Sequence, residues 1–386
     1  MAGHRPPALL RFPWRPGNRF RLLADGPAFF PAMLEAIGGA RRCVYLEMYL
    51  VASGAVLGRF VEALVAARAR GAEVRVLLDH FGSRGLAAQD RRRLEAAGVR
   101  LAFYNPLRSR EVRRYLLRDH RKILVVDGER AFVGGMGLTD DFDPPDGRLP
   151  WRETVVEAAG PVAGDWAALF AHTWERVTGE PLDPPCPCGS RAGRQRGRVM
   201  GSWGLWDPVL RRSVLRRIRA ARERVWLATA YFVPTRRLRR ALARAAARGV
   251  DVRLLLPGPR TDHPAVRHAG RRHYHALLQR GVRIFEYQPR FLHAKMLLCD
   301  GWASVGSANL DRWTVRWNLE ANQEVEDPAF AAELRAQFLR DFAEAAECLP
   351  GQWPRRPWPA RALEAFWAWT ARWVLRLVGD PPPWRR

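Results

Sequence analysis

The chain has 386 residues, 48% of them apolar, which is enough to bury a substantial core, excludes a peptide-scale binding module and points to two structural halves. Its 64 Lys and Arg against 39 Asp and Glu give a formal charge of +25, a field suited to polyanions or anionic membranes. No stretch reaches the 18 or so apolar residues that cross a bilayer, and the five scattered cysteines do not form a disulfide framework.

Along the chain, the segment Val44–Val51 reads as a buried strand and is echoed by Val225–Val233. Each is followed by an Ala/Arg/Leu helical pattern and a second strand, Arg70–Asp79 in one case and Arg248–Pro257 in the other. Gly98–Leu101 and Gly281–Ile284 continue the correspondence. Strands alternating with helical stretches predict a tandem α/β fold, two homologous halves with mainly parallel sheets related by a pseudo-twofold. The first half is expected over residues 1–180 and the second over 196–348. Between them, 181–195 is rich in Pro, Gly, Cys and Arg and reads as linker. Cys186-Pro-Cys188 within it lacks a second Cys/His pair nearby, which argues against a metal site. Residues 349–386 form a tail in which Leu363, Phe366, Trp367, Thr370, Trp373, Val374 and Leu377 follow helical spacing. A Trp-rich helix flanked by Arg361, Arg372 and Arg376 fits either a membrane interface or packing on its own domain.

Of the basic residues only Lys122 and Lys295 are lysine. Each stands two residues after a histidine, His120 or His293, and five before an aspartate, Asp127 or Asp300. Chance places both lysines in this context with odds of roughly one in a million. In a strand, residues two apart face the same side, so each His–Lys pair projects together while Asp127 and Asp300 fall on the opposite phase, in a supporting role. A compact ammonium grips a single phosphoryl oxygen in a way a planar guanidinium does not. Two His and two Lys meeting about a pseudo-twofold suit displacement at a phosphodiester with no metal and no cofactor. One histidine attacks phosphorus and the other acts as general acid and base. Beyond the second motif, Ser307 and Asn309 in Gly306-Ser-Ala-Asn309 offer a hydroxyl and an amide. The first half has Gly134-Gly-Met-Gly137 there, and its Asp-to-Gly spacing is one residue longer. Glu153 and Glu320 lie at similar distances past their motifs, where a carboxylate could fix a histidine tautomer.

The paired H-x-K-x4-D segments resemble the phospholipase D superfamily, and within it the bacterial cardiolipin synthases. The likeness extends to Gly17–Phe20, Phe30–Met33, Leu46–Tyr49, Tyr231–Pro234 and Asp262–Pro264. It implies phosphatidyl transfer between glycerophospholipids through a phosphohistidine, with His120, Lys122, Asp127, His293, Lys295 and Asp300 forming the catalytic motifs. Ser307 and Asn309 would support them, and Glu153 and Glu320 would orient the histidines. The expected substrate is an anionic, phosphatidylglycerol-like phospholipid met peripherally at the cytoplasmic face of a bacterial membrane, with no oligomer required. A phospholipase D hydrolase is the alternative, and a metal-independent nuclease, with nucleic acid as partner, is disfavoured. Members usually carry Asn where this chain has Gly137.

Overall fold

The computed structural model describes residues 12–106, 117–183, 191–202, 209–310 and 317–377. The first half contributes β1 (Arg15–Ala24), β2 (Cys43–Met48), β3 (Glu73–Asp79), β4 (Arg100–Tyr104), β5 (Arg118–Asp119), β6 (Lys122–Val126), β7 (Arg130–Gly134) and β8 (Thr154–Ala159). The second contributes β9 (Gln195–Gly201), β10 (Arg224–Ala228), β11 (Asp251–Pro257), β12 (Arg283–Tyr287), β13 (Met296–Cys299), β14 (Trp302–Gly306), β15 (Asn318–Leu319), β16 (Ala321–Glu326) and β17 (Ala345–Cys348). Fifteen of these strands form one sheet, ordered β17-β12-β11-β10-β13-β14-β16-β9-β1-β8-β7-β6-β2-β3-β4, so the halves join through antiparallel pairing of β1 with β9.

The expectation of mainly parallel sheets requires correction. Parallel pairing within this sheet is confined to β2-β3-β4 and β10-β11-β12, where helices make the crossovers. The motif strands run antiparallel to their neighbours because each enters a tight hairpin. Asp127-Gly128 and Asp300-Gly301 make the turns, with φ of 56° at Asp127, 69° at Gly128 and 50° at Asp300. An Asp-Gly pair flanked by apolar runs is a hairpin signal, since aspartate tolerates and glycine favours this left-handed region. Val126 pairs with Arg130 across three residues, whereas Cys299 pairs with Trp302 across two. That difference is the one-residue spacing mismatch between the motifs.

Helices cover both faces. The outer layer of the first half (Gly26–Gly38, Ala55–Ala69, Ala88–Ala96) buries Phe29, Phe30, Phe60 and Val61. That of the second half (Val209–Ala220, Arg236–Ala247, Tyr274–Leu278) buries Ile218, Leu242 and Leu277. Helices Pro161–Thr178 and Pro328–Ala343 share one core containing residues of both halves. There Trp166 Nε1 donates to Gln323 Oε1 at 2.8 Å. Burial of such large apolar side chains contributes about 1.5–3 kcal/mol each, so the two halves are held in one orientation. Residues 184–190 of the expected linker, including Cys186 and Cys188, lie outside the described residues.

The tail helix Trp358–Leu377 packs on helix Pro264–Arg271. Glu364, buried, pairs with Arg271 at 3.1 Å and Arg356 at 2.5 Å. Of the aromatic and apolar residues at helical spacing, Leu363 and Phe366 are exposed. The side chains of Trp373, Val374 and Leu377 lie outside the described residues.

Candidate active site

Neither His-x-Lys segment lies wholly within a strand. His120 occupies extended chain between β5 and β6, where Lys122 is the first strand residue, and His293 to Lys295 lead into β13. What fixes these segments is the opposite half of the molecule. β5 pairs in parallel with β15, and the His120 amide donates to the Leu319 carbonyl at 3.0 Å. Reciprocally, Arg152 bridges Leu292, and the His293 amide donates to the Arg152 carbonyl at 2.8 Å. Each motif therefore lies beside the segment that carries the other half's glutamate.

The side chains follow the same exchange. His120 Nδ1 is 2.9 Å from one oxygen of Glu320 and 3.1 Å from the other. His293 Nδ1 is 2.6 Å from Glu153 Oε2. Both histidines, both lysines and both glutamates are buried. Lys122 Nζ donates to the His120 carbonyl at 2.6 Å and lies 4.9 Å from the Tyr49 ring centre. Lys295 Nζ donates to the His293 carbonyl, lies within 3.0 Å of both nitrogens of that ring, and is 3.7 Å from Glu153. Lys122 and Lys295 both lower the pKa of each histidine, so charges from the two halves act on one site.

The two half-sites differ electrostatically. Burial pushes Glu320 up to about 8, against the opposing effects of Lys122, the Ser307 hydroxyl and Asn318. Burial would also raise Glu153, but Lys295, His293 and the Thr154 amide outweigh it and hold it below the ordinary carboxylate value. Burial, followed by Lys295, lowers His293 to about 4, and burial with Lys122 and Lys295 holds His120 well below its ordinary value. Burial likewise lowers Lys122 to about 7 and lowers Lys295. Both imidazoles are thereby biased toward the neutral form. An anion brought beside these groups would favour the protonated form of each nearby base.

Ser307 Oγ donates to Glu320 at 2.5 Å, and Asn309 Oδ1 accepts from Thr229 at 3.1 Å. Asn309 Nδ2 is buried and has no hydrogen-bond partner among the described residues. Gly135, at the position of Ser307, leaves the space that Glu153 fills, since a Cβ there would stand 2.3 Å from Glu153 Oε2. Gly137, at the position of Asn309, is enclosed by Leu50 and Phe142. The first half thus substitutes close packing for the two polar donors of the second.

Asp127 and Asp300 do not join the histidines. Asp127 lies at the far end of β6 and accepts from the amides of Arg41, Arg42 and Cys43 at 2.7–3.0 Å. Asp300 accepts from those of Arg222, Glu223 and Arg224 at 2.9–3.0 Å. They lock each hairpin turn to the strand that flanks it, a structural role away from the histidine rings.

Several contributors carried no sequence signal of their own. Arg121, between His120 and Lys122, is fully buried and donates to the Ser202 carbonyl at 2.7 Å and to Thr173 at 2.8 Å. Ser202 in turn accepts the Glu320 amide on its hydroxyl at 3.0 Å. Arg152 makes a bidentate pair with Asp341 at 2.9 Å, anchoring the Glu153 segment to the second half. Phe142, Trp151 and Phe291 surround the His293 ring with centroids at 5.4–5.6 Å, and Tyr49 meets the His120 ring at 4.7 Å. These apolar walls exclude water, which strengthens every charge interaction inside.

Both halves of the chain are similar to known proteins. The family model described as cardiolipin synthase, PLD-like domain, matches residues 33–142 and 214–342, one match in each half. A cardiolipin synthase A of Pseudomonas aeruginosa is 37% identical over 350 residues, covering 89% of this chain and 70% of its own. A probable cardiolipin synthase of Bacillus subtilis is 31% identical over 357 residues, covering 90% and 71%. Among solved structures, a phosphatidylserine synthase of Haemophilus influenzae shares the fold with a TM-score of 0.73 at 12% identity, covering 96% of this chain and 98% of that one. The chain belongs to the cardiolipin synthase, phospholipase D-like family.

Proposed function

We propose that the chain is a phosphatidyltransferase that moves a phosphatidyl group from a phosphatidylglycerol-like donor to a lipid or alcohol acceptor. The carrying observation is that each motif histidine is held by a glutamate of the opposite half, His120 by Glu320 and His293 by Glu153. Two histidines oriented in one buried site match a reaction with two displacements. In the first, Nε2 of one histidine forms a bond to phosphorus as the bond to the headgroup oxygen breaks, and the second histidine protonates the leaving alcohol. In the second, that histidine takes the proton of the acceptor alcohol, whose oxygen displaces the phosphorus–nitrogen bond.

The electrostatic asymmetry supports His120 as the nucleophile. Burial pushes Glu320 up to about 8, so it favours a proton on His120 less than Glu153, held below the ordinary carboxylate value, favours one on His293. Lys122, Lys295 and the Asn309 amide grip the nonbridging oxygens, and each such donor can contribute about 10²–10³ in rate. One chain supplies both half-sites, so no oligomer is needed. The +25 charge supports peripheral action on an anionic membrane, assigned to the cytoplasmic face.

The test is incubation with vesicles containing labelled phosphatidylglycerol, beside a His120→Ala control. Cardiolipin with free glycerol is expected. Phosphatidate alone would make the enzyme a hydrolase, and no lipid product would overturn the reading.

A further inference from the structure

The outer helices of the second half carry a charge pattern that the active site does not use. Helix Val209–Ala220 contains Arg211, Arg212, Arg216 and Arg219, and the adjacent helix Arg236–Ala247 contains Arg236, Arg237, Arg240 and Arg244. Their apolar faces, Leu210, Val214 and Ile218 on one and Leu238 and Leu242 on the other, are buried in the core. Neither helix contains an acidic residue. Two shallow depressions result, one walled by Arg211, Arg212, Arg216, Arg219 and Arg237, the other by Arg236, Arg239, Arg240, Arg244 and Arg280. The crowding is felt, since burial and then Arg237 and Arg212 lower the Arg211 pKa. Like charges gathered in this way cost folding energy that an external anion relieves.

A separate observation concerns the tail. Anchored through Glu364, helix Trp358–Leu377 leaves Trp358 77%, Leu363 42% and Phe366 52% exposed. The two features belong to one layer. The tail helix packs on Pro264–Arg271, which touches Tyr274–Leu278, which touches Arg236–Ala247, which packs on Val209–Ala220. Arginines gathered at one end and exposed aromatic and aliphatic side chains at the other match the two components of a phospholipid surface, its anionic headgroups and its acyl boundary. Duplex nucleic acid would satisfy only the arginines.

We propose that this helical layer is a docking face for anionic phospholipid bilayers, with the arginines on the headgroups and Trp358, Leu363 and Phe366 in the interface. It lies outside the catalytic constellation and stands or falls independently of phosphatidyl transfer.

The experiment uses the full chain and flotation with phosphatidylcholine vesicles containing phosphatidylglycerol. The triple variant Arg212→Gln, Arg237→Gln, Arg240→Gln is compared with a charge-matched control, Arg19→Gln, Arg41→Gln, Arg92→Gln. All six side chains are exposed, so both variants are expected to melt like wild type. The docking triple should lose about a hundredfold in vesicle partition at low salt, the control less than threefold. Leu363→Ser with Phe366→Ser should lower partition at high salt, where the arginine contribution is screened. Equal losses in the two triples would show that net charge alone binds, and would overturn the proposal. So would unchanged vesicle binding by the docking triple accompanied by lost duplex DNA binding. Turnover of dispersed short-chain phosphatidylglycerol should be unchanged in the docking triple. A wild type that binds vesicles through this face without turning over that substrate would sink the transferase reading and leave the docking face intact.

Discussion

Glu153→Gln removes one charge at the centre of the site while retaining its shape. The Glu153 carboxylate holds His293 Nδ1 at 2.6 Å, accepts the Thr154 amide at 2.8 Å, and faces Lys295 at 3.7 Å. A charge-assisted hydrogen bond contributes about 1.5–3 kcal/mol. Opposite charges at the Lys295 separation interact by about 4–5 kcal/mol at an effective dielectric of 20, much of which offsets desolvation. Only the part that grows as His293 becomes an imidazolium affects the barrier. A loss of about 2–4 kcal/mol is expected, or about 30- to 1000-fold in kcat/KM. The pH profile adds a sign. Glu153 raises the His293 pKa against burial and Lys295, so without it the value falls further below about 4. The limb governed by His293 should therefore move to lower pH. Steady-state turnover of phosphatidylglycerol across pH, with thermal melting to confirm folding, reads both effects. A folded variant within threefold of wild type at every pH would refute the assignment of Glu153 to His293 chemistry.

Lys295→Arg should lower kcat by about a hundredfold or more despite conserving charge, because a planar fork does not fit where a buried ammonium lies against the His293 ring. Turnover near wild type would contradict the point-donor role. Asp127→Ala should cost about 1–3 kcal/mol of stability by freeing three strand and turn amides, read by denaturant unfolding, with KM unchanged. A large KM change would return Asp127 to the site. Gly137→Asn, which installs the usual residue of the family, should destabilise by about 1–3 kcal/mol and leave turnover no higher, since a Cβ there already meets Leu50 and Phe142 at 3.0–3.1 Å. Faster turnover would show that the pocket can open for the amide.

Much of this site was legible in the two lysines. In a chain that otherwise writes arginine, Lys122 and Lys295 with their histidines marked the chemistry, and the repeat around them implied paired half-sites. The exchange was not legible. Nothing in spacing distinguishes a Glu153 that serves His120 from one that serves His293, because the choice depends on β5 reaching β15 and Arg152 reaching Leu292 across the halves. Arg121 and Arg152 were hidden by abundance, two buried struts among many surface arginines. The sheet was misread as mainly parallel because the βα repeats dominate the pattern, while Asp127-Gly128 and Asp300-Gly301, which dictate the antiparallel hairpins, were read only as part of the motifs. In the tail helix the anchor is the buried Glu364, an acid that a hydrophobic reading passes over.

The central claim is that the phosphatidyl group passes through a histidine of this chain to an alcohol. Headgroup exchange tests it directly. Enzyme is incubated with unlabelled phosphatidylglycerol vesicles and labelled glycerol, and incorporation of label into phosphatidylglycerol is followed. Label should enter the lipid with wild type and should not with His120→Ala or His293→Ala. Accumulation of phosphatidate with all label left in free glycerol, or equal incorporation by the alanine variants, would contradict the account.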